Sequence, residues 1–157
     1  MTSARPEAAV ESTTERLLGT DLGDDVSFLL ARVTAHTSAF GARSVAAFDL
    51  NVRSYSILAL ACGGGSPTQR ECADFLSLDP SRVVGLVDEL ESRGLVRRVT
   101  SPSDRRTKTI EATPEGERVF ALARAATRAA EDHALAHLTA EERDRLRVDL
   151  RSAAAFD

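Results

Sequence analysis

The sequence predicts a mainly α-helical protein that contains a winged helix-turn-helix with a two-stranded β wing, plus N- and C-terminal dimerisation helices. Two short helical stretches are separated only by Ser77-Leu-Asp79, which is the spacing of a helix-turn-helix. Two runs rich in β-branched residues, 95–100 and 107–112, then flank a turn-rich segment. Long amphipathic helices lie outside this unit, and they could form a local core or pack against a second subunit.

The helix-turn-helix is predicted from its capping residues. Thr68 and Glu71 have the spacing of a capping box, in which each side chain bonds the backbone N–H of the other residue. After the short helix that follows, Asp79 caps a second helix and Pro80 takes its first position, where proline is tolerated. Gly94 ends this second helix, which is the expected recognition helix.

The flanking helices are predicted from apolar residues at steps of three and four. Helices are expected from Asp24 to near Gly41, over residues 52–62, from Pro114 to about Leu138, and after Thr139, where Leu146, Leu150 and Ala153 face inward. Together with the helix-turn-helix and the wing, this pattern divides the chain into four expected segments. They are a flexible N-terminal segment (1–20), a first dimerisation helix (21–50), a DNA-binding domain (51–113) and C-terminal dimerisation helices (114–157).

The composition argues against a membrane protein and against an enzyme. Of the 157 residues, 43% are apolar, which suits one compact domain, and no apolar run approaches the roughly 18 residues of a membrane span. The first residues lack the apolar core of a secretory signal, so a cytoplasmic location is expected. No nucleophile elbow, P-loop, dinucleotide fingerprint or metal-spaced His/Cys set occurs. The sequence therefore predicts no catalytic residue, metal or cofactor.

Charge is distributed unevenly along the chain. The formal net charge of −4 argues weakly against binding to nucleic acid. Between positions 93 and 108, however, Asp104 is the one acid among six basic residues: Arg93, Arg97, Arg98, Arg105, Arg106 and Lys108. Because this charge lies on a ribbon and its turn, it favours duplex DNA as the partner. The alternative is a winged-helix module that binds protein without DNA, but such a module needs no arginine at the tip of its wing.

Five motifs occur in order along residues 68–116. They are Thr68-Gln-Arg-Glu-x-Ala-x-x-Leu76, Leu78-Asp-Pro-Ser-Arg-Val-Val-Gly-Leu-Val-Asp-Glu-Leu-Glu91, Gly94-Leu-Val-x-Arg98, Asp104-Arg-Arg106 and Ala112-Thr-Pro-Glu-Gly116. With the helices around them, over about residues 24–156, they resemble the MarR family of bacterial transcriptional regulators. The resemblance implies a homodimer that binds a short palindromic operator in double-stranded DNA, usually as a repressor and often of its own or a neighbouring gene.

The resemblance and the chemistry of the residues together assign the DNA contacts. Arg106 matches the arginine that the family inserts into the minor groove, whose negative potential suits it, and Asp104 matches the acid that braces the wing. Ser81 and Arg82 lie in the first turn of the recognition helix, where they can contact bases or phosphates. The other expected contacts are Thr68, Gln69, Arg97, Arg98 and Arg105. For Arg98 an ion pair with an acid of the recognition helix is the alternative.

One pair of residues departs from the family pattern. At Val84-Gly85 many relatives have a threonine and a basic residue. Fewer direct hydrogen bonds to bases are therefore expected, and more of the specificity should come from DNA shape and from the wing.

The resemblance also implies a switch, either a small aromatic anion or thiol oxidation. A phenolic or aromatic effector is expected in a crevice lined by the first two helices, and the candidate residues are His36, Phe40, Arg53 and Tyr55. Each of these also has a structural interpretation, as core or surface. The redox alternative is weaker, because oxidation-sensing relatives usually place their cysteine on the first helix, and this chain has only Cys62 and Cys72.

Overall fold

The computed structural model describes residues 12–101 and 106–155. These residues form two compact units, one that extends to His36 and one that begins at Thr37. The elements are α1 (Thr13–Leu18), a 3₁₀ turn (Asp21–Asp24), α2 (Val26–Ala46), α3 (Val52–Cys62), α4 (Gln69–Leu76), α5 (Pro80–Ser92), β1 (Val96–Thr100), β2 (Lys108–Ala112), α6 (Pro114–Ala134) and α7 (Ala140–Ala153). The prediction of a mainly helical chain with a two-stranded wing is confirmed.

In the first unit, nearby polar side chains cap the starts of α1 and α2. Ser12 and Glu15 form a capping box at the start of α1. A carboxylate oxygen of Asp25 accepts from the backbone amides of Ser27 and Phe28, at 2.9 and 3.2 Å, and so caps α2. Several apolar side chains of this unit are exposed in the single chain, namely Leu17, Leu22, Val26, Leu30 and Val33.

The core of the second unit lies where α3 meets α5 and β2. Ile57 and Leu58 of α3 are fully buried there, as is Ile110 of β2. The recognition helix α5 contributes a buried stripe at three- and four-residue steps, made by Val83, Val87 and Leu90. Burial of this stripe fixes which face of α5 points outward.

The wing is an antiparallel pair that extends from Val96 opposite Ala112 to Thr100 opposite Lys108. The loop before α4 joins it, since the amide of Ile110 donates to the Pro67 carbonyl at 2.8 Å. The strands begin within one residue of the predicted positions. Asp104 and Arg105, which lie between the two strands in the sequence, are outside the described residues.

Helix α6 is locked against β1 at its first turn. The Thr113 hydroxyl donates to the Gly94 carbonyl at 2.6 Å and accepts from the amide of Gly116 at 3.0 Å. A Cβ on Gly116 would lie only 1.9 Å from the Leu95 carbonyl oxygen, so this close approach of two backbones requires glycine.

Two expectations about the ends of helices were wrong, and a third, about the inward face of α7, is not met within the single chain. Helix α2 does not end near Gly41 but continues to Ala46, because glycine is tolerated inside a helix. Helix α6 ends at Ala134 rather than near Leu138, and the following residues form a turn whose carbonyls accept from Arg143. The residues of α7 expected to face inward do not reach a core. Within this fully described helix no residue is buried; Leu146 is half-buried, whereas Leu150 and Ala153 are exposed.

Candidate nucleic-acid interface

The recognition helix α5 presents one exposed face. Its outward residues are Ser81, Arg82, Val84, Gly85, Asp88 and Glu89, whereas the opposite stripe is buried in the core. In a helix, positions three, four and seven residues apart lie on one side. Ser81, Val84 and Asp88 therefore form a continuous outer stripe, and Arg82 lies beside it at the first turn.

Ser81 is held by the residue that caps the helix. Asp79 accepts from the backbone amide of Ser81 at 2.8 Å and from its hydroxyl at 2.5 Å. The hydrogen bond from the Ser81 side chain is the main cause that lowers the pKa of Asp79. The Ser81 hydroxyl is thus already used as a donor, and toward DNA it offers an acceptor.

The start of α4 has the predicted capping box. The Thr68 hydroxyl accepts from the Glu71 amide at 3.1 Å and donates to the Glu71 carboxylate at 2.8 Å. The backbone amide of Thr68 donates to the same carboxylate at 2.7 Å, and this bond chiefly lowers the pKa of Glu71. The polar groups of Thr68 therefore serve the cap of α4.

Arg98 joins the wing to the recognition helix. Its side chain is only 19% exposed, and its guanidinium contacts Asp88 at 2.5 Å and also pairs with Glu91. The amide of Gln69 has one orientation in which both its oxygen and its nitrogen face suitable partners. In that orientation its oxygen accepts from this guanidinium at 2.7 Å. The alternative interpretation of Arg98, an ion pair with acids of the recognition helix, matches the structure better than a phosphate contact. Gln69 is held by the same cluster.

Arg97, one residue earlier, has a different environment. It pairs across the wing with Glu111 at 2.9 Å, and its side chain remains 65% exposed. Arg106 and Lys108 are also exposed on the described part of the wing. The wing thus presents basic side chains to solvent, while the guanidinium of Arg98 lies between the wing and two helices.

Two hydrogen bonds join α5 to the segment before α3, and they were not predicted from the sequence. The Arg93 guanidinium donates to the carbonyls of Asp49 at 2.5 Å and Phe48 at 3.0 Å. Asp49 has a left-handed backbone, with φ of 53°, and its local sequence has no turn signal strong enough to identify that bond. Arg93 was counted among the basic residues of the wing, but it serves to hold α5 in place.

An open groove of about 510 Å³ lies beside the recognition helix. Its lining comes from the end of α2, the start of α3 and the outer side of α5: Ala42, Ala46, Leu50, Asn51, Val52, Arg53, Arg82 and Leu86. The groove is therefore mostly apolar, with two arginines on its wall. One of these, Arg82, is also a candidate DNA contact.

The four candidate effector residues have different surroundings in the structure. Arg53 lines the groove, but Tyr55 stacks against Phe120, with ring centroids 5.7 Å apart. Phe40 packs against the ring of His133 at 5.7 Å. His36 belongs to the other compact unit.

Neither cysteine has the environment of a reactive thiolate. Cys72 is fully buried and Cys62 is partly buried. Burial is the main cause that raises the pKa of both thiols, and nearby glutamates raise it further. In addition, the described residues hold no group of three or more His, Cys, Asp or Glu side chains that could bind a metal, and no described helix could cross a membrane.

A recognition helix with one exposed face, followed by a basic wing, defines a class of proteins: the DNA-binding transcriptional regulators. Comparison with known proteins identifies the family. A sequence model of the MarR family matches residues 50–108. The chain is 40% identical to a MarR-family transcriptional regulator from Rhodococcus sp. RHA1, with 87% of this chain and 98% of that chain covered and a TM-score of 0.77. The chain belongs to the MarR family.

Two further proteins are similar to the chain. CouR from Rhodococcus jostii RHA1, in a crystal structure bound to p-coumaroyl-CoA, is 41% identical, with 88% of this chain and 98% of that chain covered and a TM-score of 0.75. A putative transcriptional regulatory protein for the hcr operon of Thauera aromatica is 39% identical over 70 residues. That match spans 45% of this chain and 41% of the curated relative.

Proposed function

We propose that this MarR-family regulator is a repressor that binds a palindromic operator as a homodimer, and that a small aromatic effector releases it. The observation that carries the proposal is the position of Arg82. It lies exposed in the first turn of α5, on the helix whose opposite stripe is buried in the core. A helix held in this way offers its N-terminal turn to the major groove.

The site residues divide between bases and phosphates. Arg82 is proposed to contact a base or a phosphate, and the Ser81 hydroxyl to accept from a base. Arg97 is proposed to neutralise phosphate, and Arg106 to enter the minor groove. For Asp104 and Arg105 we keep the roles expected from the sequence, which are bracing the wing and adding positive charge.

Arg98, Gln69 and Thr68 take supporting roles in this proposal. Arg98 is held by Asp88 and Glu91, so it orients the wing rather than contacting DNA. Gln69 contacts the same guanidinium, and Thr68 caps α4. We propose that backbone amides at the start of α4, other than those of Thr68 and Glu71, donate to a phosphate.

Exposed apolar side chains support the homodimer. Leu22, Val26 and Leu30 of the first unit are 45–68% exposed, and on α7 Val148 is 67% exposed. Large apolar side chains exposed to solvent become buried when they form a contiguous patch that contacts another protein. We propose residues 21–50 and 114–157 as the dimerisation segments, residues 51–113 as the DNA-binding domain and residues 1–20 as the segment before them. A two-fold dimer would set two recognition helices about 34 Å apart, one turn of DNA.

The groove beside α5 is the proposed effector site. Its apolar wall suits an aromatic ring, and Arg53 and Arg82 suit an anionic group. Since CouR has been crystallised with p-coumaroyl-CoA, an aromatic acyl-CoA thioester or its free acid is the proposed effector class. An anion that engages Arg82 would remove this side chain from DNA, which would couple the two sites.

Selection of genomic DNA fragments by the purified full-length protein tests the proposal. We expect enrichment of a palindrome, with an affinity that falls as salt rises because each neutralised phosphate releases counterions. Adding p-coumaroyl-CoA should lower the affinity, whereas coenzyme A alone should not. In the matched variant Arg53→Ala, DNA affinity should persist and the effector response should weaken. Equal binding to all fragments would reject the operator. An affinity unchanged both by p-coumaroyl-CoA and by its free acid would reject this effector class.

A further inference from the structure

The centre of the recognition helix presents an apolar side chain where a polar side chain that contacts DNA bases would be expected. Val84 is 41% exposed on the outer stripe of α5. Single exposed apolar residues are common on protein surfaces and need no explanation by themselves. Val84 differs from these because it lies on the exposed face of a helix whose role is to meet DNA bases.

The polar residues one turn away on either side of Val84 are engaged within the protein. The Ser81 hydroxyl donates to Asp79 at 2.5 Å. The Asp88 carboxylate accepts from the Arg98 guanidinium, also at 2.5 Å. The middle of the stripe therefore offers the two γ-methyl groups of Val84, framed by polar groups that already have partners.

Gly85 removes bulk beside Val84. A Cβ at this position would meet no described heavy atom within 4 Å, so the core does not require glycine there. On the outward side, the missing side chain lets the helix backbone approach a surface closely. Val84 is also β-branched, and such residues have one strongly preferred rotamer in a helix, so its methyl groups are already oriented.

We propose that Val84 reads the 5-methyl group of a thymine in the major groove, with Gly85 allowing the close approach. Thymine is the DNA base that carries a methyl group on this edge, and small apolar side chains recognise it by contact. The operator should therefore contain, in each half-site, a thymine that is recognised without a hydrogen bond. This inference rests on the proposed operator binding.

Replacement of thymine by deoxyuridine tests the contact directly, because it removes only the methyl group. The probe is the duplex that the full-length protein selects from random DNA, with one thymine at a time replaced in both half-sites. We expect one position at which the wild-type affinity falls about fourfold per half-site, or about fifteenfold for both, from the lost burial of a methyl group. Val84→Ala lacks both γ-methyl groups, so it should bind the thymine duplex more weakly than the wild type and lose less affinity on deoxyuridine substitution.

This double-mutant cycle distinguishes the possible outcomes. If Val84→Ala keeps the full loss on deoxyuridine substitution, or if no thymine position affects the wild type, the inference is wrong even though the operator is bound. If the wild type selects no duplex, the proposed function itself fails. Leu17→Ala, at a 54% exposed leucine outside the proposed DNA-binding and dimerisation segments, should keep the wild-type sensitivity. Val84→Ser, whose side chain has no methyl group, repeats the test should the alanine variant fold poorly.

Discussion

Arg98 and Glu91 are joined twice. The backbone amide of Arg98 donates to one carboxylate oxygen of Glu91 at 2.9 Å, and its guanidinium donates to the other. Glu91 lies in the last turn of α5, and Arg98 lies on β1. The direction in which the wing leaves the recognition helix is thus set by a charge-assisted pair as well as by the backbone turn at Gly94, where φ is +68°.

Removing Arg98 should therefore cost both stability and DNA affinity. Arg98→Ala leaves Asp88 and Glu91 without their cation, and we expect a loss of about 1–3 kcal/mol in the free energy of unfolding. The matched control is Arg97→Ala, whose side chain is 65% exposed in a surface pair and should change stability by less than about 1 kcal/mol. Urea denaturation measures both. If the two variants lose the same free energy of unfolding, Arg98 does not stabilise the protein more than a surface arginine does.

The same pair predicts a dependence of stability on pH. The backbone amide of Arg98 is the main cause that lowers the pKa of Glu91 below its ordinary value of 4.5, and the guanidinium adds to it. A carboxyl group with a lowered pKa stabilises the fold above its unfolded pKa, and this contribution disappears as pH falls through the folded value.

Glu91→Gln keeps an acceptor for Arg98 but cannot titrate. The wild type should be more stable than this variant at pH 7, and the difference should shrink as pH falls below about 4.5. Denaturation curves collected across this range measure the difference, in which the other carboxyl groups cancel. If the difference in stability between the wild type and Glu91→Gln stays the same at every pH, the lowered pKa of Glu91 is contradicted.

Substitution by alanine should change stability in opposite directions at two glycines, Gly116 at the close approach of α6 to β1 and Gly85 on the exposed face of α5. In Gly116→Ala the new Cβ would lie 1.9 Å from the Leu95 carbonyl oxygen, so the backbones must separate, at a cost of about 3 kcal/mol or more. In Gly85→Ala the Cβ meets no described atom within 4 Å, and helix propensity should stabilise the protein by about 0.5–1 kcal/mol. Thermal unfolding distinguishes them, and a tolerated Gly116→Ala would show that the contact is not tight.

Buried thiols predict slow reaction with a chromogenic disulfide reagent. Both cysteines have a raised pKa because of burial, and the thiolate is the species that reacts. We expect slow modification of the native protein and rapid modification of two thiols in urea. A cysteine that reacts as fast in the native protein as in urea would instead favour oxidation as the switch.

The elements that could be predicted from the sequence are those specified by local chemistry. Asp79 and Thr113 bond backbone amides within three residues, so their caps are visible in the sequence, and the helix-turn-helix and wing follow from such signals. The partners of Arg98 and the tie from Arg93 to Asp49 depend on residues brought together by folding. The extension of α2 beyond Gly41 was missed because a glycine is only a weak signal for the end of a helix.

In the candidate site, too, features specified by local sequence could be predicted, whereas those that depend on folding could not. The exposure of Ser81 and Arg82 could be predicted, because the helical period places them opposite the buried stripe. That Arg82 also lines the groove with Arg53 could not, because the groove is formed by α2, α3 and α5 together.

The central claim, that the basic wing and α5 bind operator DNA, is tested most directly by the affinity of one wing variant. Arg106 is exposed on the described part of the wing, and its side chain is proposed to enter the minor groove. The measurement is fluorescence anisotropy of the selected duplex, titrated with wild type and with Arg106→Ala at one salt concentration. We expect the variant to bind more weakly by about 1–3 kcal/mol. An unchanged affinity would contradict the role of the wing in binding.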